Sequence, residues 1–190
     1  MKIEKRWVVS FGVIAIISIL GLFWPQVIDI PNTGGFLSEK QIVGSDVAWI
    51  LSASGLVLLM TPGLSFFYGG MVGRKNVIST MLQSFIALGV ISILWLVVGF
   101  SLSFGESIIA ITIDGESYGI LGNPLSYPFF NHVGVLPHET MASTIPFVLF
   151  ALFQMKFAVI TPALITGSFA ERVRFVSYLL FIVLFSLIIY

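Results

Sequence analysis

Four residues in one apolar stretch have types and spacing that could do chemistry. They are Phe153, Gln154, Lys156 and Phe157, within Pro146 to Arg172 (PFVLFALFQMKFAVITPALITGSFAER). Phe153 and Phe157 are four apart and so share a helix face. Gln154 and Lys156 flank that pair at mid-span. Polar side chains inside a membrane helix are costly and face an interior or a cavity, so the group suggests a lined path. That chemistry is transport rather than catalysis. The competing reading for the two rings is helix–helix packing, which the chain's 18 phenylalanines make a strong alternative.

The elements that must position these residues follow from composition. Hydrophobic residues are 57% of the chain and charged residues 9%, against roughly 25% charged in soluble domains. The chain therefore reads as an integral membrane protein whose surroundings are the lipid bilayer. A net charge of zero argues against nucleic acid as a partner, and the lack of cysteine excludes disulfides, thiolate metal sites and cysteine nucleophiles. Apolar segments of spanning length are expected at Trp7–Trp24, Val47–Gly70, Val77–Phe104, Met141–Gly167 and Phe175–Tyr190.

Lys2, Lys5 and Arg6 precede the first span, Arg74 and Lys75 follow the second, and Arg172 and Arg174 follow the fourth. Seven of the nine Lys/Arg then lie on one side, with Lys40 opposite and Lys156 in the membrane. This is a positive-inside pattern. It places the basic loops in the cytoplasm of a multi-pass protein of the cell (plasma) membrane, with residues 25–46 and 105–140 outside. The first span is either a retained signal-anchor helix or a cleaved signal peptide. Its length and the lack of a nearby A-x-A-like site favour retention.

Further features are less specific. Pro62, in the run Met60 to Gly70, should bend or break its helix unless neighbours compensate. His132 and His138 lie in the long external loop, where solvated histidines are expected; no third ligand stands at metal-site spacing. Tyr118, Tyr127, Phe129 and Phe130 of that loop could cap a vestibule. No Gly-rich phosphate loop, Gly-x-Ser-x-Gly elbow or His-Glu-x-x-His is present, so no enzyme, cofactor or metal is expected.

The motifs read together are specific. In order come Asp46-x-x-Trp49, the Thr61-Pro62-Gly63…Phe67-Tyr68-Gly69-Gly70 run and Arg74-Lys75-Asn76. They are followed by Trp95…Gly99 to Gly105, Phe153-Gln154…Phe157-Ala158 and Gly167…Ala170-Glu171-Arg172. This pattern resembles the ammonium transporter family (the Amt branch of the Amt/Mep/Rh superfamily), over Asp46 to Tyr190. The resemblance implies an all-α integral membrane fold. The chain would be the N-terminal part, about four helices plus an extra N-terminal span, of an eleven-helix inverted-repeat transporter. Residues 1–45 would be the signal-anchor or signal peptide with an external segment, and residues 46–190 a partial transporter domain.

The implied substrate is ammonium or ammonia and the implied assembly, if complete, a homotrimer with one pore per subunit. A PII-type regulatory protein is a further implied partner. By position Phe157 resembles one half of the family's phenylalanine gate, Phe153 the vestibule ring one turn above it, and Gln154 a polar neighbour. Family features on later helices (the pore histidines, the buried aspartate, the vestibule tryptophan and the second gate ring) are missing. A single copy of this chain is therefore not expected to enclose a pore.

Lys156 departs from the family, where the position is usually apolar or small. It points about 80° from the mean of the two rings, at 100° per residue, and its cytoplasmic helix end is about 16 Å away. Snorkelling towards that end is therefore not expected. Three readings stand: a neutral lysine, a pair with an acid from another segment, or a weakly constrained position. A cation beside a cation path hinders conduction. Two functions follow: the N-terminal portion of an ammonium transporter, or a truncated, non-transporting subunit or remnant that associates with full-length transporter.

Overall fold

The structure, a computed structural model, describes residue 16 and residues 35–113 and 116–190. The chain divides into two compact units, Met1–Thr33 and Gly34–Tyr190. Apart from Ile16, which is helical, the expected first span lies outside the described residues. The account below concerns the second unit.

Four apolar helices build this unit: α1 (Gly44–Met71), α2 (Val77–Phe104), α3 (Phe147–Phe169) and α4 (Phe175–Ile188). The first three are long and apolar enough to cross a bilayer. α4 has 14 residues, about 21 Å at 1.5 Å each, less than the hydrocarbon core. The expected boundaries hold within three residues except at the start of α3, which begins six residues late. Pro146 is the cause. Its extended backbone (ψ 135°) stands at the N-cap, just before the first helical residue, where the helix ladder needs no N–H from it. Upstream, the chain pairs instead: Val43 donates to the Thr144 carbonyl at 2.9 Å, and His138 and Ala142 exchange backbone hydrogen bonds of 3.0 Å.

Pro62 neither stops α1 nor divides it, since the helix is continuous from Gly44 to Met71. Close packing of α1 on α2 lies just beyond it. Ser65, three residues on, is fully buried and donates its hydroxyl to the Met81 carbonyl of α2 at 3.0 Å. Gly69 leaves the space that the Met81 side chain fills; a Cβ there would lie 2.8 Å from Met81 Cγ. Small residues admit this close approach between membrane helices.

α2 contains one wide turn, a π-helical segment at Trp95–Gly99. The buried Trp95 indole N–H donates to the Ala151 carbonyl of α3 at 3.2 Å. α3 packs on α1, α2 and α4, burying Phe147, Ala151, Ala158, Val159 and Ala163. Where α2 ends and α3 begins, an aromatic cluster closes the core. Phe100 lies 5.4 Å from Phe147, 5.5 Å from Tyr127 and 5.6 Å from Phe130, centroid to centroid. Tyr127 and Phe130 are half-buried and pack against the core, whereas Tyr118 and Phe129 are exposed.

One element departs from an all-helical expectation. Strands β1 (Ser107–Ile113) and β2 (Glu116–Gly122) form an antiparallel hairpin, with Ile111 opposite Tyr118 and Ile109 opposite Leu121. The signal was in the sequence: a β-branched run, Asp114-Gly115, then a second run is the pattern of a tight hairpin.

Candidate functional site

The site is built on the middle of α3. Its buried stripe faces α1 and α2, leaving Phe153, Gln154, Lys156 and Phe157 half-buried. The two rings meet edge to face, with centroids 5.1 Å apart and planes at 77°. That geometry suits aromatic quadrupoles and holds each ring against the other. Gln154 lies beside the pair. The structure therefore brings the rings together as their spacing implies.

Lys156 bonds to the backbone of its own helix. Its ammonium donates to the Leu152 carbonyl one turn back, at 2.9 Å. Helical side chains tilt towards the N-terminus, so the stem runs towards the Phe147 end, which is nearer than the end considered for snorkelling. The carbonyl, which also serves the helix, satisfies part of the charge without an acid. Below the rings, Thr161 returns its hydroxyl to the Phe157 carbonyl at 2.7 Å. Pro162 follows, and α3 breaks at Ile165 before its last short turn, Thr166–Phe169.

That break is held by contacts which sequence reasoning missed. The Tyr68 hydroxyl of α1 donates to the Leu164 carbonyl, and the Tyr68 ring lies over Gly167. Beyond it, Glu171 adopts a positive φ of 68°, uncommon for a side chain of its type. Its Oε1 accepts from the Gly73 N–H at 2.8 Å and from Asn76 Nδ2 at 2.9 Å. The side-chain bond from Asn76, then the backbone bond from Gly73, hold its carboxyl below the ordinary value of 4.5. The carboxylate thus ties the α3 end to the α1–α2 turn, in the run Gly73 to Asn76 that carries Arg74 and Lys75.

The histidines need correction. His138 is half-buried rather than fully solvated. Its ring stacks on Phe147 at 5.0 Å and meets Phe36 edge-on at 5.3 Å. Burial pushes its pKa below 6.5, and the nearby Glu139 opposes that shift. His132 is half-buried with a positive φ of 63°. No group of three or more His, Cys, Asp or Glu could hold a metal among the described residues.

Long apolar helices, buried small polar residues at their crossings and an amphipathic patch on one helix define a multi-pass membrane protein. Residues 48–190 match the Ammonium Transporter Family, and the chain belongs to that family. It is 43% identical over 145 residues to the ammonium transporter of Bacillus subtilis, covering 76% of this chain and 33% of that protein. It is 40% identical over 152 residues to the ammonium transporter of Mycobacterium tuberculosis H37Rv, covering 77% and 32%. The fold resembles the crystal structure of Saccharomyces cerevisiae Mep2 with a TM-score of 0.67 and 29% identity, over 81% of this chain and 32% of that one. The chain thus spans about a third of the length of these relatives. The family is one of membrane transporters rather than enzymes.

Proposed function

We propose that this chain forms one wall of a transmembrane path for ammonium or ammonia, with the α3 patch as the selective surface. The observation that carries the reading is the edge-to-face Phe153–Phe157 pair with Gln154 beside it, on the face of α3 turned away from its buried stripe. A small cation that leaves water loses strong hydration. Aromatic faces return about 0.5–2 kcal/mol per contact, and the Gln154 amide oxygen can accept an N–H hydrogen bond. Hydrated Na⁺ and K⁺ find no replacement oxygens at the Phe157 ring, which gives discrimination by chemistry rather than size alone. In this reading Phe153 holds the ion above and Phe157 is half of a gate. The remaining wall comes from outside these residues. Assembly as a homotrimer in the plasma membrane with its basic loops cytoplasmic, and a PII-type regulatory protein on those loops, belong to the same proposal.

Lys156 favours the second reading, a non-transporting subunit, because its ammonium sits one position before Phe157 and repels a cation. The two are separated by grafting residues 48–190 in place of the matching segment of the Bacillus subtilis relative and measuring labelled methylammonium uptake in transporter-deficient cells. Saturable uptake that Phe157→Ala abolishes is the expected result. A graft that reaches the membrane, assembles and stays inactive even with Lys156→Met would overturn the wall assignment.

A further inference from the structure

The β1–β2 hairpin carries an exposed apolar surface outside the helices. Ile109 and Ile111 of β1 face their cross-strand partners Leu121 and Tyr118, and all four side chains are exposed by 39–57%. Ile108 and Ile120 are exposed by 59% and 61%. Monomeric soluble surfaces rarely leave such a contiguous patch to water. What covers it is constrained by position.

Both ends of the hairpin are fastened to the last turn of a membrane-spanning helix. Only Gly105 and Glu106 separate the end of α2 from Ser107, which limits the start of β1 to about 10 Å beyond that helix at 3.3–3.6 Å per residue. At the other end Gly122 is pressed on α2: a Cβ there would lie 2.5 Å from the Ser101 and Leu102 carbonyl oxygens. The surface is therefore continuous with the lipid-facing surface of α2, at the edge of the bilayer. Depth follows from the backbone. A two-stranded sheet has two unpaired edges, which hydrocarbon does not tolerate but the hydrated headgroup layer does. Charge sets the lipid class: residues 105–140 contain Glu106, Asp114, Glu116 and Glu139 and no Lys or Arg, so anionic headgroups are disfavoured.

We propose that the hairpin is an interfacial anchor. It lies tilted on the leaflet at the α2 C-terminal end, its Ile109/Ile111/Tyr118/Leu121 face settled into zwitterionic headgroups. Such surfaces enter about 5–10 Å into the headgroup and acyl boundary, which the reach of the α2 linker matches. The anchor would fix the tilt of α2 and, through Trp95, the height of α3 in the membrane.

The native chain has no cysteine, so single labels are clean. Ile111→Cys and Ile120→Cys, with Lys40→Cys as the exposed control, carry a nitrobenzoxadiazole probe on the full chain in phosphatidylcholine vesicles. Labels at 111 and 120 should emit at shorter wavelength than at 40 and lose most of their emission to a lipid spin-labelled near its headgroup. Adding Ile109→Ser and Tyr118→Ser should return the label at 120 towards water-like emission. Replacing half of the lipid by phosphatidylglycerol should leave quenching unchanged or reduce it. Water-like emission at both sites overturns the proposal. So does shielding that lipid quenchers do not reach and that disappears on dilution into excess lipid, since a second copy would then be the cover.

Discussion

Gly167→Ala isolates the contact that fixes the lower end of α3. A Cβ at position 167 would lie 2.5 Å from Tyr68 Cε1, 3.0 Å from Cζ and 3.2 Å from Cδ1. The Tyr68 ring cannot swing aside freely, because its hydroxyl is engaged by the Leu164 carbonyl. Two outcomes are open. If the ring stays, the overpacking costs about 1–3 kcal/mol; if it moves, the hydrogen bond goes, at about 0.5–1.5 kcal/mol. Alanine's better helix propensity returns at most about 1 kcal/mol, so the net change should lie between about zero and a destabilisation of about 2 kcal/mol. The measurement is unfolding of the purified chain by sodium dodecyl sulfate in mixed micelles, as a double-mutant cycle with Tyr68→Ala. Without the ring, Gly167→Ala should become more favourable, neutral or stabilising, so the substitution's cost depends on Tyr68. An equal cost in both backgrounds would refute the reasoning, because the glycine would then be accommodating something other than Tyr68.

Three further substitutions probe the site and its supports. Lys156→Met removes a charge that costs about 2.5–3.5 kcal/mol at a helix centre on insertion scales; it should leave assembly intact and preserve or raise uptake in the grafted transporter, and a collapse of folding would reveal a partner beyond Leu152. Glu171 has a folded pKa below 4.5, so its contribution is fully present above 4.5 and is lost as pH falls through the folded value. The Gly73 amide proton should titrate by NMR in that acidic window, and Glu171→Gln should abolish the titration. His138 shifts the other way: its folded pKa lies below 6.5, so the unfolded chain binds the extra proton first and stability falls as pH drops below 6.5. His138→Phe should flatten that part of the stability–pH profile, and an unchanged profile would remove His138 as the cause.

The helices were legible because the bilayer reads composition: α2 is bounded at Val77 and Phe104 as its apolar run predicts. The α3 patch was legible for a related reason, since a four-residue spacing on a helix dictates that Phe153 and Phe157 meet. The hairpin was also written in the chain, as β-branched runs around Asp114-Gly115, and was overlooked because the whole segment reads as one long loop. Lys156 illustrates a finer limit. Counting residues to one helix end missed the direction of the side chain, which turns back by one helical turn to the Leu152 carbonyl.

Residue order by itself determined that this chain crosses a membrane, which family it belongs to and which helix carries the patch. These depend on hydropathy and on local spacing, both properties of neighbouring residues. Only the tertiary structure decided that Glu171 holds the Gly73 to Asn76 turn, that Tyr68 occupies the space left by Gly167, and that His138 stacks in an aromatic core. The side-chain bond of Tyr68 spans 96 residues and that of Glu171 to Gly73 spans 98. No local pattern specifies such pairs; they form because packing α1 against α3 brings distant backbone groups within hydrogen-bonding distance.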